Sequence, residues 1–120
     1  MRCLIVDDNP RFLVAATDLL EGEGITVVAV ASTAAEALQQ TEAARPDVTL
    51  VDVDLGTESG FDLARRLTLD GGQSGSSVIL ISTYAEGDFA DLIRDSPAIG
   101  FLSKSDLSAE GIRALLGGQS

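Results

Sequence analysis

A chain of 120 residues that is 45% hydrophobic has the size and composition of one domain with one buried core, not of a disordered segment. Nineteen acids against eight Lys and Arg give a formal net charge of −11, so direct nucleic-acid binding, which needs clustered cations on phosphates, is not expected. The sequence holds no His, which removes a His general base, a Ser-His-Asp triad and most zinc sites, and the single Cys3 cannot form an internal disulfide.

Cys3 sits in an apolar run and reads as a small core residue rather than a reactive thiol. No stretch reaches membrane-span length and the N-terminus lacks a secretory apolar region, so a cytoplasmic protein away from membranes is expected.

Apolar runs alternate with amphipathic segments five times. Cys3 to Val6 predicts a strand buried on both faces, and Phe12, Ala16, Leu19 and Leu20 follow at helical spacing, stopping at Gly22 and Gly24. Ile25 to Val30 is a second strand. Either Ser32 or Thr33 can cap a helix carrying Ala34, Ala37, Leu38 and Thr41, with Pro46 beyond its end. Asp47 to Val51 is the third strand. After a Gly-containing loop from Leu55 to Gly60, a third helix carries Phe61, Ala64 and Leu67. The Gly- and Ser-rich stretch 71–77 reads as a flexible connection. Val78 to Ile81 is the fourth strand, followed by a helix lined by Phe89, Leu92 and Ile93. Ile99 to Leu102 is the fifth strand, and Ser105 or Asp106 can cap a last helix with Ile112, Leu115 and Leu116 that ends at Gly117-Gly118.

Five such βα units predict an α/β parallel sheet with helices on both faces, in which ligands bind beyond the carboxyl ends of the strands. The polar residues that end the runs are Asp7 and Asp8, Asp52, Ser82 and Lys104. Carboxylates gathered at one edge repel: at about 4 Å and an effective dielectric near 20, a like-charge pair costs roughly 4 kcal/mol. A divalent cation such as Mg²⁺ relieves that repulsion, which leaves Asp52 as a nucleophile toward a phosphoryl group. Lys104 can then pair with Asp52 or a phosphoryl oxygen, and the Ser82 hydroxyl can hydrogen-bond another. Taken singly, each residue has a plainer role: Asp8 or Asn9 as a helix cap ahead of Pro10, Asp52 as a loop acid, Ser82 as a turn residue, Lys104 as a solvated charge. Their joint recurrence after successive strands argues for a site.

The segments Val6-Asp7-Asp8-Asn9-Pro10, Leu50-Val51-Asp52-Val53-Asp54, Ile79-Leu80-Ile81-Ser82 and Phe101-Leu102-Ser103-Lys104 together resemble the receiver domain of bacterial two-component response regulators. The resemblance runs over the whole chain, 1–120, as a single receiver domain. It implies a flavodoxin-like, doubly wound (βα)5 sheet of strand order 2-1-3-4-5. It also implies phosphorylation of Asp52 by a histidine kinase or phosphotransfer protein, with Ser82 and Lys104 assisting. The implied metal is Mg²⁺, with Mn²⁺ as a substitute, on Asp7, Asp8, Asp52 and the Asp54 backbone carbonyl. Ser82 and Phe101 are the implied switch pair, coupling the site to the surface of the fourth helix, fifth strand and fifth helix. That face is the candidate homodimer contact, and the first helix around Arg11 and Phe12 is the kinase side. Asp54 and Tyr84 stand where such domains tune the lifetime of the phosphoryl group. The chain is then a switch that phosphorylates and dephosphorylates itself, not a turnover enzyme.

Three positions depart from the family's habit. Gly56 replaces a frequent Pro, which is expected to loosen the loop after Asp52; Ser105 replaces a Pro that is often cis; and Thr83 is larger than the usual Ala or Gly and narrows access to the site. Two rival readings stand beside the receiver. Asp52-Val53-Asp54 resembles the DxD nucleophile motif of haloacid-dehalogenase-type phosphatases, although that motif normally opens the first strand and here follows the third. The other rival is an interaction module with the same fold that works without phosphorylation. On the receiver reading no DNA-binding or enzymatic effector is expected within the chain: either it is a stand-alone regulator acting through protein contacts or part of a longer protein, and the Lys104-Ser105 junction is similar to receivers joined to helix-turn-helix domains.

Overall fold

The computed structural model describes residues 1–70, 77–84 and 86–117. Five parallel strands form the central sheet: β1 (Arg2–Val6), β2 (Thr26–Ala31), β3 (Val48–Asp52), β4 (Ser77–Ser82) and β5 (Gly100–Ser103). Their spatial order is 2-1-3-4-5, the flavodoxin-like order expected, and the order reverses between β1 and β3. The helices are α1 (Pro10–Gly22), α2 (Ala34–Ala44), α3 (Gly60–Asp70), α4 (Ala90–Asp95) and α5 (Ala109–Gly117).

Alternation along the strands sorts the core into two layers. Leu4, Val6, Val51, Val78, Leu80 and Phe101 pack on one face beneath α2 and α3, with Ile93 of α4 alongside. Cys3, Ile5, Val48, Leu50, Ile79 and Ile81 pack on the other face beneath α1 and α5. Cys3 is fully buried, and that burial pushes its thiol pKa up to about 12, as suits a core residue.

The helix starts follow local chemistry. Asn9, not Asp8, caps α1: its Oδ1 accepts the N–H groups of Arg11 (3.0 Å) and Phe12 (3.4 Å), with Pro10 in the first turn. Thr33 caps α2 by accepting the Glu36 N–H, while Ser32 donates to Glu36 instead. Two further caps come from distant chain. The Glu58 carboxylate accepts the Ala34 N–H at the start of α2 (3.0 Å), and the Glu23 carboxylate accepts the Ala109 N–H at the start of α5 (2.7 Å).

Several sequence expectations need correcting. The last helix is capped by Ser108, whose Oγ accepts the Gly111 N–H; Ser105 and Asp106 lie in a separate 3₁₀ turn, Lys104–Asp106, ahead of it. Leu19 and Leu92 point to solvent, at 41% and 54% exposure, because each stands off the apolar stripe of its helix. The fourth helix is a 3₁₀ turn, Glu86–Phe89, followed by a short α4 without a buried residue. The loop from Leu55 to Gly60 contains a two-stranded hairpin, Asp54–Leu55 against Glu58–Ser59. Of the stretch 71–77, residues 71–76 lie outside the described residues, as does Gly118, while Ser77 already belongs to β4. Among the described residues no helix is long and apolar enough to cross a membrane.

Candidate functional site

Strand register brings the polar residues together. Val6 pairs with Val51, which sets Asp7 beside Asp52. Asp52 pairs with Ile81, and Ser82 follows; Ser82 pairs with Ser103, and Lys104 follows. All four thus emerge at one edge of the sheet, beyond the carboxyl ends of β1, β3, β4 and β5, next to the switch point.

Asp7 is fully buried, Asp52 is 6% exposed and Ser82 is 2% exposed, whereas Asp8 is exposed. Carboxylate oxygens of Asp7, Asp8 and Asp52 lie within 4.8 Å of one another. One oxygen of each buried acid is taken by backbone: Asp7 Oδ1 accepts the Asn9 N–H (2.8 Å) and Asp52 Oδ1 accepts the Asp54 N–H (3.1 Å). The other oxygen of each meets Lys104, whose Nζ is 2.6 Å from Asp7 Oδ2 and 3.1 Å from Asp52 Oδ2. The first contact is an ion pair without hydrogen-bond alignment, so Asp7 Oδ2 is a buried oxygen with no directed donor.

The electrostatics follow from this crowding. Burial raises the Asp52 pKa most; the Asp7 charge adds to it, and the Asp54 N–H and Lys104 only partly offset it, leaving the carboxyl at about 6. Burial opposes the charge on Lys104, but the two carboxylates outweigh it and hold its pKa above the ordinary value. The set therefore carries more negative charge than one ammonium neutralises. Hard oxygen donors, two of them desolvated and one without a directed donor, fit a hard divalent cation better than a soft metal.

The remaining predicted residues lie on or just after the strands that carry this centre. Ser82 Oγ accepts the Tyr84 N–H (3.0 Å). Tyr84 is exposed, and its ring stands edge-on to Phe89, which in turn meets Phe61 of α3. Asp54 is exposed, and its Oδ1 accepts the Gly56 N–H (3.1 Å), closing the hairpin turn. Gly56 has φ 75°, which Pro cannot adopt, and it stands at the corner of the hairpin. Phe101 is buried in the α2–α3 layer at 8% exposure.

Two contributors were not read from the sequence as part of this site. Gly60 opens α3 against the backbone of Asp52; a Cβ there would fall 2.0 Å from the Asp52 carbonyl oxygen. Its only sequence signal is a glycine immediately before an apolar helical pattern. Phe12, read there as part of an outer surface, places its ring centroid 4.4 Å from Lys104 Nζ. Nothing in the sequence marks that contact, because the two residues meet only through the fold.

The sequence matches the response regulator receiver domain family over residues 3–115. It is 34% identical over 125 residues to the transcriptional activator ExaE of Pseudomonas putida, covering 100% of this chain and 57% of that protein. It is 28% identical over 106 residues to the DNA-binding transcriptional activator EvgA of Escherichia coli, covering 88% of this chain and 51% of that protein. The chain thus spans about half the length of the curated relatives it matches. Among solved structures, a LuxR-family two-component response regulator from Aurantimonas superposes with a TM-score of 0.85 at 25% identity, over 98% of this chain and 85% of that one. The signal receiver domain of NarL from Mycobacterium tuberculosis does so with a TM-score of 0.81 at 29% identity, over 98% and 94%. With that match over almost its full length, on a fold of the same strand order, the chain belongs to the receiver domains of two-component response regulators.

Proposed function

We propose that residues 1–120 act as the phospho-accepting receiver of a longer regulator, with Asp52 as the acceptor. The observation that carries this reading is the Asp52 carboxylate itself: 6% exposed, crowded by Asp7 and Asp8, and reached by the Lys104 ammonium at 3.1 Å. An Asp52 oxygen forms the bond to phosphorus while the donor's bond to phosphorus breaks, and the donor departs with the bonding pair. Lys104 meets the charge on the transferred oxygens, and the Ser82 hydroxyl exchanges the Tyr84 N–H for one of them. Asp7, Asp8 and Asp52, with the Asp54 backbone carbonyl, would hold Mg²⁺ or Mn²⁺, which supplies positive charge against the carboxylate crowd.

Behind Ser82, the inward position of the Phe101 ring is coupled to the hydroxyl's new partner, and the face of α4, β5 and α5 carries the change to a second copy or another partner. The donor is a histidine kinase or phosphotransfer protein in the cytoplasm. EvgA is a DNA-binding transcriptional activator about twice as long as this chain. By analogy the output here is transcriptional, through residues outside this acidic chain. The phosphatase reading is disfavoured because the Asp52-Val53-Asp54 segment lies at the end of β3 instead of opening the first strand, and because the family match is to receivers.

Treatment with a small acyl phosphate and Mg²⁺ is expected to add one phosphoryl mass to the parent and none to Asp52→Asn. A parent that gains no mass would sink the receiver reading; repeated turnover of a generic phosphomonoester would favour the phosphatase, and unaltered partner binding by Asp52→Asn the phosphorylation-independent module. Asp54 gives its backbone N–H to Asp52 and Tyr84 gives its own to Ser82, so Asp54→Ala and Tyr84→Ala are each expected to change the rate of phosphoryl loss. Rates equal to the parent's in both variants would remove them from that role.

A further inference from the structure

We infer that Phe12 is a positioning residue for Lys104, its ring face holding the ammonium over the Asp7–Asp52 pair. This deepens the receiver reading above and rests on it.

Three observations support the assignment. The Lys104 Nζ stands 4.4 Å from the Phe12 ring centroid, well inside the range in which an aromatic quadrupole attracts a cation. The lysine side chain is only 13% exposed, so water competes weakly for that attraction. The ring is also fixed by the same turn that builds the acidic centre. The Asn9 N–H is held by Asp7 Oδ1, Asn9 Oδ1 accepts the Phe12 N–H, and the half-buried Phe12 ring packs on the layer between α1 and the sheet. One short segment therefore places both a carboxylate that pairs with the lysine and the aromatic face beside it.

The chemistry gives the contact a purpose. Lysine is a flexible chain with a compact charge, and ordering it costs rotamer entropy. Carboxylates alone hold the ammonium only while their oxygens stay available to it. A ring face attracts the charge without offering a lone pair, so the ammonium keeps its place while its N–H groups remain usable by a phosphoryl oxygen. Leucine at position 12 fills similar space but has no quadrupole.

The test places fluorinated phenylalanines at position 12, which weaken the ring's negative face stepwise with little change in shape, alongside Phe12→Leu and Phe12→Tyr. Phosphorylation by acetyl phosphate with Mg²⁺ is followed by mass. In the metal-free protein, NMR reads the Lys104 ε-methylene protons, which a ring face shifts upfield. The expected result is an upfield Lys104 signal in the parent that is lost in Phe12→Leu. The maximal phosphorylation rate should fall stepwise with fluorination, by about 5- to 20-fold in Phe12→Leu, and be kept in Phe12→Tyr. A flat rate across the fluorinated series, with the parent phosphorylated, overturns the proposal, as does a Lys104 signal that is the same in parent and Phe12→Leu. A parent that takes no phosphoryl group while its Lys104 signal is displaced overturns the receiver reading and, with it, this role, though the contact itself exists.

Discussion

In chelator at about pH 7, Asp52→Asn is expected to be more stable than the parent protein. Asp52 is buried beside a second buried acid, and these two effects together push its pKa from 3.8 to about 6. An unfolded chain would ionise the same carboxyl near its ordinary value. Between those two values the native state holds the proton and the unfolded state does not, so the parent loses stability as pH rises through that window. Below it, both states are protonated and the Asp52 contribution is fully present; above about 6, both are ionised and it is gone. Partly screened by solvent, that rise makes a stability difference on the order of 1–3 kcal/mol. The advantage of Asp52→Asn over the parent should therefore be small near pH 4, grow to about that size by pH 6.5, and stay level above it. At roughly 3–5 °C per kcal/mol for a domain of this size, the parent should melt several degrees below the variant at neutral pH, on the order of 5–10 °C. Chemical denaturation of both proteins across this range checks it. An Asn variant less stable than the parent at neutral pH would show that the ion pair with Lys104 outweighs burial. Added Mg²⁺ should narrow the gap, because it stabilises the parent's native state by mass action and finds a poorer site in the variant.

On the proposed function, that instability at Asp52 connects fold to signalling. Four backbone and packing devices hold an unfavourable charge arrangement in place: the parallel register, the Asn9 cap, the Asp54 N–H on Asp52 and the contact of Gly60 with the Asp52 carbonyl. A carboxylate destabilised in the free protein has free energy to release when its charge is compensated, which is what the proposed two-state switch would draw on.

The parts legible in the sequence are those governed by local pattern. Short apolar runs ending in Asp7, Asp52, Ser82 and Lys104 announce buried parallel strands whose tips share an edge, because alternation and βα order are one-dimensional signals. The family resemblance supplied the strand order, which periodicity alone leaves open. What stayed hidden depends on residues meeting in space. Glu23 caps α5 and Glu58 caps α2 across long separations, and neither looks different from any surface acid in the sequence. Ser108 caps α5 in place of Ser105 and Asp106 because those two lie in the 3₁₀ turn Lys104–Asp106 ahead of it, a choice no capping preference encodes. Gly56 occupies the positive-φ corner of a hairpin that its sequence does not announce, since glycine can signal either mobility or a demanding turn.

Gly60→Ala is expected to be the most damaging single methyl addition among the glycines described. Its Cβ would lie 2.0 Å from the Asp52 carbonyl oxygen, 2.7 Å from the carbonyl carbon and 2.7 Å from Val53 Cα. All three are backbone atoms, so no side chain can rotate away, and the Gly60 N–H is already bonded to the Val53 carbonyl oxygen at 3.0 Å. Either α3 moves off the sheet, uncovering Leu63, Ala64 and Leu67, or the end of β3 shifts and carries the Asp52 carboxylate with it. Overpacking of this kind costs about 1–3 kcal/mol when side chains can adjust, so a clash confined to backbone belongs at or above the top of that range. The expected outcome is a melting temperature lower by about 10 °C or more, together with slower phosphoryl uptake in whatever fraction stays folded. Gly22→Ala is the control: no atom lies within 4 Å of its added Cβ, and alanine suits the end of α1, so it should match the parent or exceed it by up to about 1 kcal/mol. Thermal and denaturant unfolding of both variants beside the parent decides the matter. A Gly60→Ala protein within about 0.5 kcal/mol of the parent would mean that α3 approaches the Asp52 backbone less closely than this packing requires.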